Sequence, residues 1–173
     1  MDQLLITLDD LKQYRPMADI NLARVDTYIR EAQDNDLKEF IGPALYYDLL
    51  VNGSTTANRD LLNGKVYTIT GSTPLTIKYN GLVPVIVYYA LARIIVNNQA
   101  NITSFGVVNK TTGQSTPVDA ATIKQMVTEL RSMAVSYQNE AQKFLDYNYT
   151  SYPLWNYNTR TCEQSTGFQF FKL

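Results

Sequence analysis

The groups in this chain that could act as acids or bases are carboxylates, because it has no histidine and a single cysteine, Cys162. They group in three places: Asp9-Asp10, Asp34 with Asp36, and Glu129 with Glu140. Paired carboxylates can divide general acid and general base work when their environments separate their pKa values. A Ser-His-Asp triad, a Cys-His pair and a conventional zinc site all need residues this chain does not have. Asp34-Asn35-Asp36 has neither the glycine nor the distal glutamate of a calcium loop and reads as a helix boundary. Gly64-Lys65 lacks the glycine five residues earlier and the following Ser or Thr of a phosphate-binding loop, and no GxGxxG occurs. A carboxylate-only enzyme is the catalytic class these residues leave open, and no spacing favours it. The expectation is no catalytic residue, no metal and no cofactor.

Charge narrows the partners. Fifteen Lys and Arg against sixteen Asp and Glu give a net charge of −1, without the positive excess that sequence-independent DNA binding requires. The tyrosines are not interleaved with a basic cluster, as a single-strand stacking groove would need. The N-terminal MDQLLITLDD lacks the basic-then-apolar order of a signal peptide, so the expectation is synthesis in a cytoplasm. Asn-x-Ser/Thr triplets begin at Asn52, Asn101, Asn109 and Asn148, and the richness in Asn and Thr accounts for them.

The positioning elements read as mainly helical. Thr7 can cap a helix Leu8 to Tyr14, and a second helix runs from about Asn21 to Asp34 with Val25, Ile29 and Ala32 inward. In Glu31 to Leu50 two short helices meet at Gly42-Pro43, glycine ending one and proline opening the next. Leu82 to Val96 is the most apolar run, but fifteen residues containing Arg93 fall short of the roughly twenty that span a bilayer. It reads as a buried helix. Thr116 as cap and Pro117 at the first position announce a long helix to about Tyr147, with Ile123, Met126, Leu130, Met133 and Phe144 on its apolar stripe.

Two β excursions interrupt the helices. Lys65 to Tyr79 alternates about Gly71-Ser72-Thr73-Pro74 and predicts a β-hairpin, and Ser104 to Val108 a short strand. An isolated hairpin is marginal in water. It therefore packs on the helices or pairs with a neighbouring subunit, through Tyr67, Ile69, Leu75 and Ile77. After Asn148 the chain becomes aromatic and polar. Tyr149, Tyr152, Trp155, Tyr157, Phe168, Phe170 and Phe171 suit an extended arm that docks on a neighbouring subunit or an adjacent ring, the alternative being a segment that folds back on its own core. The expected organisation is a mainly α helical bundle, residues 1–148, with one long C-terminal helix and a β-hairpin insertion, followed by an extended C-terminal arm, residues 149–173.

The Glu31 to Leu50 block, together with Asp26-Thr27-Tyr28-Ile29-Arg30, the Leu82 to Val96 helix and the Gly106 to Lys110 turn, resembles the small head–tail connector proteins of tailed bacteriophages. It is most similar to the neck-ring proteins of Bacteroides and crAss-like phages, over roughly Asp19 to Tyr149. The resemblance implies a virion structural protein at the neck, a homo-oligomeric ring with twelvefold symmetry. Its partners would be the portal protein and adjacent neck or tail proteins, with passing, non-specific contact to DNA and no membrane. In such a ring Lys124, Glu129, Arg131, Glu140 and Lys143 of the long helix would face the channel. The alternatives are an ordinary solvated face for those charges and, for the whole chain, a cytosolic helical adaptor that binds one partner through its aromatic arm.

Overall fold

This computed structural model describes residues 3–15, 22–70, 73–103, 106–109 and 119–155. In chain order they form α1 (Leu8–Tyr14), α2 (Leu22–Glu31), a π-helical segment (Ala32–Leu37), α3 (Lys38–Ile41), α4 (Pro43–Val51), α5 (Thr56–Asn63), β1 (Lys65–Ile69), β2 (Leu75–Tyr79), α6 (Val83–Gln99), β3 (Ala100–Thr103), β4 (Gly106–Asn109) and α7 (Ala120–Tyr147). The fold is mainly α, with a long C-terminal helix and an inserted hairpin.

Local rules set most boundaries. Thr7 N–H and Oγ1 both donate to Asp10 Oδ2, at 2.7 and 2.9 Å, closing a capping box on α1. Gly42 takes φ +79° between α3 and α4, a backbone region open to glycine, and Pro43 begins α4 where its missing N–H costs nothing. Asp119, rather than Thr116, caps α7: it accepts from Thr122 N–H at 2.9 Å. Thr116 and Pro117 lie outside the described residues.

Three elements differ from the sequence reading. The expected boundary at Asp34-Asn35-Asp36 is instead continuous helix, in which Ala32–Leu37 widens to π geometry and leads straight into α3. The widening turns Gln33 into the core, where its Oε1 accepts from Leu5 N–H at 2.7 Å and ties the N-terminal segment down. Helix α6 continues past Val96 to Gln99, and the second β excursion is a hairpin, β3 antiparallel to β4.

The core gathers around α6, the most apolar helix, where Leu82, Val85, Ile86, Val87, Ala90 and Leu91 are all buried. Helix α7 runs back along it: Asn80 just before α6 meets Glu140, and Tyr88 stacks on Tyr137 at 5.7 Å. From the other side α2, the π segment and α1 close over α6. Leu37, Leu45, Leu49, Val85, Tyr88, Leu91 and Leu130 are buried in this core, and Phe40 is half-buried against it. No helix among the described residues is long and apolar enough to cross a membrane.

Candidate functional site

The hairpin is anchored at its base by backbone as well as side chains. Gly64 and Gly81, at φ +94° and +86°, let the chain enter β1 and leave β2 at van der Waals contact; a Cβ on Gly64 would lie 2.4 Å from Tyr79 O. Register pairs Tyr67 with Ile77 and Ile69 with Leu75, so all four sequence-predicted contact residues share one face. That face turns toward α7. Tyr67 lies edge-on to Phe144 at 5.3 Å, and Tyr79 of the same face stacks flat on Phe144 at 4.1 Å. Tyr147 Oη fixes the far end, accepting from Thr70 N–H at 2.9 Å. Tyr67, Ile69 and Ile77 are half-buried, and Leu75 alone of the four is well exposed, at 59%. The opposite face exposes Val66, at 60%, which the alternation signalled by its phase.

The packed region continues beyond Asn148. Tyr152 and Trp155, expected on an arm that reaches outward, are each 4% exposed. Tyr152 Oη donates to Ala57 O at 2.8 Å, and Trp155 meets Phe40 edge-on at 5.9 Å while its Nε1–H donates to Asp146 Oδ1 at 2.7 Å. A turn just after α7 brings both rings back onto the bundle, so within one chain they are core residues, not free anchors. Tyr149 is exposed; Tyr157, Phe168, Phe170 and Phe171 lie outside the described residues.

The charges of α7 do not share a face. At roughly 100° per residue, Lys124 and Arg131 fall on one flank, Glu129 and Glu140 on the other, and Lys143 between them on the outer side. Lys124, Glu129, Arg131 and Lys143 are exposed. Glu140 is engaged internally: its carboxylate accepts from Asn80 N–H at 2.7 Å and from Asn80 Nδ2 at 3.0 and 3.1 Å, fixing the turn between β2 and α6. Glu129 and Glu140 are also about 16 Å apart along the helix, too far to act on one atom.

Two open clefts lie on the surface of the described residues. One, of about 360 Å³, lies beside the π segment and is lined by Arg30, Asp34, Lys38, Tyr46 and Tyr47, among others. There Tyr46 Oη donates to Asp34 Oδ1 at 2.7 Å; burial first, and then this bond, push the phenol up to about 12. The phenol therefore keeps its proton near neutrality and donates it to this hydrogen bond. The second, of about 560 Å³, lies between Tyr14, the hairpin base and Tyr137, and its Lys65 is held by Asp60 at 2.8 Å. Among the described residues no group of three or more Asp, Glu, Cys or His side chains could hold a metal.

The fold and its surfaces thus define a mainly α protein whose candidate site is exterior: an anchored hairpin and the flanks of a long helix. The chain belongs to the family of unknown function DUF6712, matched over residues 37–165, from the end of the π segment to beyond Trp155. No curated protein and no solved structure matches it.

Proposed function

We propose that this chain is a structural subunit of a head–tail connector, which assembles as a homo-oligomeric ring of about twelve copies between portal and tail of a phage virion and extends the channel through which DNA passes. The reading rests on the resemblance of residues 19–149 to such proteins. The structural observation that supports it most is α7, 28 residues and about 42 Å long, in which no residue before Leu130 is buried. In that first third Val127 alone packs against the core among the described residues, and a helix so lightly covered has surface to offer a neighbour. The hairpin, pinned to the other end of α7 with Val66 exposed on its outer face and Leu75 exposed beside its turn, offers a second surface.

The near-neutral balance of charge suits a wall past which DNA slides, since no net counterion release rewards attachment. The adaptor reading is weakened by Tyr152 and Trp155, because two of the aromatic anchors it needs are occupied inside the bundle. Negative-stain imaging with and without the portal protein tests the proposal: rings seated on portal support it, and a chain that stays monomeric beside portal defeats it.

A further inference from the structure

Helix α7 carries two exposed stripes of opposite sign. Lys124, Arg131 and Val135 recur at helical spacing on one flank, and Glu129 and Met133 on the other, about 160° away. Val135 and Met133 are large apolar side chains left 45% and 44% exposed. The stripes match with a constant offset. Arg131 precedes Val135 by one turn, and Glu129 precedes Met133 by one turn, so each partner differs by two residues. Two parallel copies of α7 set side by side with a stagger of about 3 Å would place Arg131 against Glu129 and Val135 against Met133 at once.

We propose that these flanks are the interface between successive copies of this chain, Arg131 and Val135 of one copy lying against Glu129 and Met133 of the next, with Lys124 on the same basic flank. Charge decides the symmetry. A two-fold contact would set either stripe against itself and oppose like charges, whereas a head-to-tail arrangement pairs opposite charges around an apolar centre and repeats into a ring. The inference rests on the ring reading above and names its contact surface.

Cross-linking tests it on the full chain. With Cys162→Ser as background, Val135→Cys and Met133→Cys combined in one chain should give, on mild oxidation, a ladder of covalent oligomers beyond the dimer, and each alone only monomer. No ladder from the combined variant, or dimers from either single one in similar yield, overturns the proposal. Arg131→Glu should cut the ladder about tenfold, and adding Glu129→Arg should restore it, with far-ultraviolet circular dichroism unchanged throughout; a ladder indifferent to Arg131→Glu also overturns it. A ladder from a chain that ignores portal would keep this interface and remove the connector reading. Portal-bound rings without a ladder would do the reverse.

Discussion

Arg93, the one charged residue of α6, forms an ion pair with Asp36 in the π-helical segment, with Glu31 3.6 Å from its Nε. Asp36 Oδ2 is buried and meets that charge without a well-directed hydrogen bond. An unaccompanied charge in so apolar a helix would be costly, and the wider π turn is what presents Asp36 to it.

Arg93→Met is therefore expected to destabilise the fold by about 2–3 kcal/mol, less than for a fully buried pair because both side chains keep some exposure. Asp36→Leu added to it should recover most of the loss. Urea denaturation midpoints of the single and double variants measure both effects.

Glycine substitutions should separate backbone strain from collision. Gly42→Ala meets nothing within 4 Å and should cost only the price of a positive φ, about 1–3 kcal/mol. Gly64→Ala has the same backbone demand plus a Cβ 2.4 Å from Tyr79 O, so it should cost more and loosen the hairpin. Thermal unfolding ranks the two.

Phe144 joins the hairpin to the bundle through Tyr67, Tyr79 and Tyr152. Phe144→Ala should cost about 3–5 kcal/mol, and hydrogen exchange should accelerate in β1 and β2 more than in α2. Uniform acceleration would mean the ring serves the whole core equally.

Buried phenols make the fold sensitive to alkali. Tyr46 is raised to about 12, and Tyr79 and Tyr152 are raised chiefly by burial. Because the folded values lie above the unfolded value near 10, the unfolded chain releases protons first, and stability present below pH 10 falls as pH rises from about 10 toward 12. Denaturant midpoints should drop across that window, and Tyr46→Phe should flatten the drop.

What was legible in the sequence is what short-range chemistry governs. Gly42-Pro43 announces a junction because each residue has one strong backbone rule, and Lys65 to Tyr79 announces a hairpin by alternation around a turn. The π segment was not legible, since Asp34-Asn35-Asp36 looks like a boundary until Arg93 and Tyr46 arrive from elsewhere to pair with it. Tyr152 and Trp155 misled for a similar reason. Aromatic residues among polar ones read as an interface, and the acceptor that claims Tyr152, Ala57 O, is 95 residues away. The spacing in α7 predicts an apolar stripe throughout, yet Met133 is exposed and burial begins only at Leu130, where α6 lies alongside.

Those two rings set which deletion isolates the arm. Deleting 149–173 removes Tyr152 and Trp155 from the core and should destabilise the chain itself by several kcal/mol. Deleting 156–173 keeps both rings in the chain and should reduce ring formation. Assembly that survives the shorter deletion intact argues against an arm.

The mass of the purified full chain, measured by sedimentation with and without portal protein, bears most directly on the connector reading. It predicts a portal-bound complex carrying about twelve copies. A chain that sediments as a monomer in the presence of portal contradicts it.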